Sequence, residues 1–139
     1  MWGVSSQPFF DARKIDTCKR LQDNYETVNR ELQRVLEARK EQNEIFARVG
    51  DRRGEATLVQ DGEWRDYALI DDGGGTKTGS YSPEELCPQT VKLLNSIDPI
   101  RDCVHSKLGI AIFSCLAPGT HLIPHCGPTN LRLTCHLGL

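Results

Sequence analysis

The sequence predicts an α+β protein whose helices come first and whose sheet begins near the C-terminus. Three observations carry this. From Asp16 to Val49, Cys18, Leu21, Tyr25, Val28, Leu32 and Val35 recur at steps of three and four, the period of one helical stripe. Leu108 to Leu116 is short, apolar and rich in β-branched or aromatic residues, as a buried strand would be. From Leu131 to Leu139, leucines and Cys135 alternate with Arg132, Thr134 and His136, a period of two with one apolar face.

Along the first helix, Lys19, Arg20, Asp23, Glu26, Arg30, Glu31, Arg34 and Glu37 fill the face opposite the stripe. No Gly or Pro interrupts before Gly50, and the run is too short for a coiled-coil seam, so a helix packed on a sheet is expected. Leu58-Val59, Asp61-Gly62 and Trp64 to Ile70 read as a hairpin, because Asp-Gly tolerates the positive φ of a tight reversal. The glycine-rich run from Asp71 to Ser80 reads as a loop. Ser82-Pro83-Glu84-Glu85 is a helix-start signature, with Ser as cap and Glu three residues on as its reciprocal partner. Pro88 restarts a helix, Val91, Leu94 and Ile97 face inward, and Asp98-Pro99 is expected to end it. Pro118-Gly119 turns the chain between the two strands.

The composition is that of an ordinary globular domain: 139 residues, 38% hydrophobic, 26% charged. A net charge of −2 offers no basic footprint for nucleic acid. No apolar run approaches the ~18 residues of a membrane-spanning helix, and the start lacks a signal-peptide pattern. A soluble chain is therefore expected, and endoplasmic reticulum and cytoplasm both stay open as compartments. The six cysteines include no CxxC pair, and the chain is too long and too poor in Cys for a disulfide scaffold, which predicts mostly free thiols.

The chemistry is concentrated in Ala117 to Leu139, which holds His121, His125 and His136. His121 and His125 have the spacing of a helical zinc site, but Pro124 lies between them and Gly127-Pro128 follows, so the segment is extended or turning. A histidine followed two residues later by a carboxylate begins the facial triad of non-haem iron oxygenases. Here Gly127 stands in the carboxylate's place. The residues alone leave two readings open: an iron site, or a polar turn with incidental histidines.

PGTHLIPHCGPTNLRLTCHLGL resembles the signature of the aspartyl/asparaginyl β-hydroxylase family, in the order PGTH, PH, GPTN, R and HLGL. QPFFDARKID, DGEW, CPQTVKLL and IAIFSCLAPGTH resemble further family elements, so nearly the whole chain is covered. This family also has Gly at the position of Gly127. The resemblance implies an Fe(II)/2-oxoglutarate-dependent dioxygenase. Its fold would be N-terminal helices packed on the first part of a double-stranded β-helix, a cupin-like jelly roll. Residues 1–139 would form one domain, with 1–100 a mainly helical lead-in with a hairpin and 101–139 the start of the jelly-roll core.

Carried over residue by residue, the resemblance makes His125 the first iron ligand. Trp64, Ser114 and His136 become contacts of the 2-oxoglutarate cosubstrate, and Arg132 a clamp for a substrate carboxylate. His121 and Asn130 shape the turn. Thr134 stands where characterised eukaryotic members carry a second arginine, which puts cosubstrate affinity and substrate preference in question. In the family, the second iron histidine and the arginine for the far 2-oxoglutarate carboxylate come after HLGL, and so after Leu139. The implied substrates are Asp or Asn side chains of a peptide or protein, EGF-like domains among them in eukaryotes, with O2 as co-reactant; bacterial relatives include lipid hydroxylases. The competing function is a non-catalytic remnant or fragment serving as a binding module.

Overall fold

The computed structural model describes residues 8–41, 45–49, 58–70, 81–107, 109–126 and 133–139. The predicted helix from Asp16 to Val49 is divided in two: α1 spans Asp16–Asp23 and α2 spans Tyr25–Glu41. The break falls at Asn24, whose side-chain amide donates to the carbonyl of Arg20 at 2.9 Å and competes with the helical ladder. The apolar stripe survives the break, since Val28 and Val35 are buried and Leu21 and Leu32 pack against the core. The expected continuation to Val49 is corrected: Ala47–Arg48 is a strand, β1.

β2 (Val59–Asp61) and β3 (Trp64–Ile70) flank the Asp61-Gly62 turn as expected, and Gly62 has φ +88°. They do not form the predicted hairpin. β3 lies between β1 and β4 (Ala111–Leu116), antiparallel to both, while β2 pairs with β5 (His121–Leu122) in a separate two-stranded sheet. The turn hands the chain from one sheet to the other. Its position is fixed by Thr120, whose hydroxyl accepts from the backbone N–H of Glu63 at 3.1 Å. A Cβ on Gly62 would lie 2.6 Å from the Cα of Thr120, so the residue is glycine for close approach as well as for its φ.

The second helical layer follows the glycine-rich segment 71–80, which lies outside the described residues. Ser82 caps α3 (Pro83–Leu86) through a full capping box with Glu85. α4 runs Pro88–Asn95, and Val91, Leu94 and Ile97 are buried as expected. Asp98-Pro99 begins a further helix, α5 (Asp98–His105), where the sequence suggested a stop; proline at the first turn lacks only an N–H that no helix would use there. Arg20 ties α1 to the end of α4, donating to the carbonyl of Ser96 at 3.0 Å and to its hydroxyl at 2.8 Å.

The core lies between the helices and one face of the three-stranded sheet. Tyr67 stacks on Phe113 across β3 and β4, and Phe46 tilts against Tyr67. Alternation along the strands then sends Trp64 and Asp66, with Ser114, to the other face. The strand expected over Leu131 to Leu139 is not formed: residues 133–139 carry no regular secondary structure, and Leu133 is 64% exposed. Alternation needs a ladder partner to become a strand, and the described residues offer none there.

Cys87, at the start of α4, is fully buried. Burial first, and then the Glu31 charge, push its thiol from 9.0 up to about 12. The folded state thus holds a proton that the unfolded chain loses near pH 9, so this contribution is complete below pH 9 and fades as pH rises toward 12. The melting temperature is expected to fall with a shallower alkaline slope in Cys87→Ala than in the wild type, measured by calorimetry at stepped pH.

Candidate active site

The site sits on the sheet face turned away from the helices. β3 and β4 are in register with Asp66 opposite Ser114 and Trp64 opposite Leu116, so Trp64 and Ser114 are diagonal neighbours on one face. The indole Nε1–H of Trp64 donates to Ser114 Oγ at 2.6 Å. The serine hydroxyl therefore accepts from the indole and keeps its own hydrogen to donate outward. Ser114 is exposed and Trp64 half-buried, which leaves this hydrogen accessible.

His125 reaches the same place by another route. After β4, the Pro118-Gly119 turn reverses the chain, with Gly119 at φ +78°. β5 then pairs with β2 through Val59 to Leu122 and Asp61 to His121, and the Ile123 N–H donates to the carbonyl of Leu58 at 2.9 Å. This anchoring brings the His125 ring to 6.0 Å from that of Trp64, at a 36° tilt. His125 Nδ1 lies 2.7 Å from the carbonyl oxygen of Ile123. A carbonyl only accepts, so Nδ1 carries the proton in this contact, and Nε2 is the ring nitrogen left to face a ligand. A metal-ligating histidine is commonly held in this way, its second nitrogen donating to a carbonyl that fixes tautomer and ring orientation.

Of the residues singled out in the sequence, Trp64, Ser114 and His125 thus come together. His136 is exposed in the irregular segment 133–139, off the strand on which it was expected, and His121 is exposed on β5. Arg132, Asn130 and Gly127 lie outside the described residues. Two contributors escaped the sequence reading. One is the Ile123 carbonyl, a backbone group that leaves no side-chain signal. The other is Asp66, buried in register with Ser114, whose position two residues after Trp64 on a strand could have marked it.

Among the described residues no group of three His, Cys, Asp or Glu is assembled that could hold a metal ion. They offer one prepared imidazole, which by itself does not make an iron site. A cavity of about 280 Å³ opens on the helix side of the sheet, lined by Arg39, Glu63, Arg65 and Cys115 to Pro118. Its lining includes none of Trp64, Ser114 and His125. Glu63 occupies it as a counter-ion, 2.7 Å from Arg65 and 3.7 Å from Arg39, and the Arg65 hydrogen bond holds its carboxyl below the ordinary carboxylate value.

The amino-acid sequence has relatives among known proteins. The model of the aspartyl/asparaginyl β-hydroxylase family matches residues 22–139, and the chain belongs to that family. Human aspartate β-hydroxylase domain-containing protein 2 is 32% identical over 140 residues, covering 98% of this chain and 34% of its own length. Mouse aspartyl/asparaginyl β-hydroxylase is 28% identical over 140 residues, covering 99% of this chain and 17% of its own. The ornithine lipid ester-linked acyl 2-hydroxylase of Rhizobium tropici is 28% identical over 136 residues, 98% of this chain and 43% of its own. The chain spans about a third of the length of the first of these relatives. No helix among the described residues is long and apolar enough to cross a membrane.

Proposed function

We propose that this chain is part of an Fe(II)/2-oxoglutarate-dependent dioxygenase that hydroxylates Asp- or Asn-type side chains of a peptide or protein. The observation that carries the reading is the hydrogen bond from His125 Nδ1 to the Ile123 carbonyl, which leaves Nε2 for a ligand, beside the Trp64–Ser114 hydrogen bond. In this reading residues 1–139 belong to one domain, and the exposed sheet face is the inner wall of a jelly roll. His125 is an iron ligand through Nε2, and further ligands come from outside the described residues. Iron, when bound, supplies the oxygen activation that splits 2-oxoglutarate to succinate and CO2 and hydroxylates the substrate carbon.

The chain's own residues bind and orient. Ser114, its lone pair engaged by Trp64, directs its O–H to a 2-oxoglutarate carboxylate. The Trp64 ring separates that hydroxyl from solvent on one side and buttresses the His125 ring on the other. In this reading His136 contacts the cosubstrate, and Arg132 pairs with a substrate carboxylate. The substrate class rests on the wording of two relatives' names, one of which speaks of aspartate and the other of aspartyl and asparaginyl, and on Arg132 as a carboxylate-binding cation. The lipid named for the bacterial relative is the alternative substrate.

The test is succinate release by a protein spanning the whole family domain, with Fe(II), 2-oxoglutarate, and either an Asp- or Asn-bearing peptide or an ornithine lipid. Release that needs both Fe(II) and 2-oxoglutarate and is stimulated by the peptide is expected. Ser114→Ala is expected to raise KM for 2-oxoglutarate roughly 10- to 150-fold, because a hydrogen bond to a charged group contributes about 1.5–3 kcal/mol. An unchanged KM would remove Ser114 from the cosubstrate site, and stimulation by lipid alone would move the substrate class.

A further inference from the structure

The irregular segment 133–139 is held to the helical layer at two points. Leu137 packs against the core, and Cys135 Sγ lies 3.3 Å from Cys18 Sγ on α1, a contact between residues 117 positions apart. All six cysteines are unbridged, and no other pair among the described residues is in sulfur–sulfur contact. A disulfide needs sulfurs about 2.05 Å apart, so closure calls for an approach of about 1.3 Å. Cys135 is exposed and Cys18 half-buried, so a small oxidant reaches the pair from solvent.

We propose that Cys18 and Cys135 are a redox-modification site: a dithiol that closes to a disulfide in exchange with a low-molecular-weight disulfide such as oxidised glutathione, stapling the segment that bears His136 to α1. One protein thiolate attacks the small disulfide, forms a mixed disulfide and expels one small thiolate. The second protein sulfur then attacks the mixed disulfide's protein sulfur; the Cys18–Cys135 bond forms and the second small thiol leaves. Two protein thiols are oxidised by two electrons, and one small disulfide is reduced to two thiols. The Cys135 thiol is pushed up to about 11 by burial and by its contact with Cys18, so closure quickens as pH rises and more thiolate forms. The inference uses neither iron nor 2-oxoglutarate and stands apart from the hydroxylase reading.

The experiment equilibrates the 139-residue chain with oxidised glutathione at mildly alkaline pH, quenches with acid, alkylates, and maps peptides by mass spectrometry without reduction. A linked peptide carrying Cys18 and Cys135 is expected, with the intact chain lighter by two hydrogens and alkylation lost from both cysteines in parallel. Cys126, exposed and without a sulfur neighbour, serves as control and ends alkylated or glutathionylated. The oxidised chain should melt at a higher temperature than the reduced one, and a reductant should reverse the shift. Cys18→Ser should leave Cys135 as a stable glutathione adduct, with helix content by circular dichroism confirming the fold. Separate glutathione adducts on Cys18 and Cys135 of the wild type, or a link from Cys135 to any other cysteine, would overturn the proposal.

Discussion

Glu31→Ala is expected to destabilise the chain by about 3–5 kcal/mol, read as a lower urea midpoint with the slope unchanged. Glu31 is fully buried on α2, in the midst of apolar packing. Its carboxylate accepts from the backbone N–H groups of Gln89 at 3.1 Å and Thr90 at 2.7 Å, at the start of α4. That helix begins at Pro88, and its N-cap, Cys87, makes no side-chain capping bond. Glu31 therefore caps α4 from a neighbouring helix, and its charge also suits the positive helix end. Arg34, 3.9 Å away, is half-exposed and contributes less. Removing the carboxylate leaves two N–H groups unpaired, that of Thr90 buried and that of Gln89 part-buried, at a cost of about 1–3 kcal/mol for a buried group, and opens a void besides. Glu31→Gln keeps the volume but turns one acceptor into a donor, so an intermediate loss is expected. A Glu31→Ala cost under about 1 kcal/mol would mean that α4 is capped by other means.

The burial of Glu31 also shows where the sequence is legible and where it is not. Its position in the helical repeat puts it among charged residues on the face opposite the stripe, yet the fold buries it. Periodicity reports which positions share a side, but not which partner waits there; the unpaired N–H groups of α4 are 58 and 59 residues away in sequence. Signals confined to a few residues translated well. The Ser82–Glu85 capping box, the turns at Gly62 and Gly119, and the inward set of Val91, Leu94 and Ile97 all form as read. Signals that depend on a distant strand did not. Two β-prone runs joined by Asp-Gly pointed to a hairpin, yet β2 and β3 join different sheets, because β3 gains more by burial between β1 and β4 than by pairing with a three-residue neighbour. The C-terminal alternation likewise finds no ladder partner among the described residues 133–139.

The candidate site divides in the same way. Trp64 and Ser114 could be paired in advance only through a resemblance to known sequences, since the register that sets them diagonally across β3 and β4 is a property of the assembled sheet. His125 was legible as a residue type in a turning segment. Its tautomer was not, because that depends on the Ile123 carbonyl.

Ligation of iron by His125 is tested most directly by Fe(II)-dependent succinate formation in a protein spanning the whole family domain, wild type against His125→Ala. The side chain is exposed, so its removal leaves the core packing untouched, and matching melting curves for the two proteins will confirm that. Loss of a ligand should exceed the roughly 10- to 100-fold that changes one shell further out commonly cost. The account predicts that His125→Ala lowers succinate formation by more than about 100-fold at saturating 2-oxoglutarate, with the melting temperature unchanged. A His125→Ala protein that keeps more than about a tenth of wild-type succinate formation would contradict it.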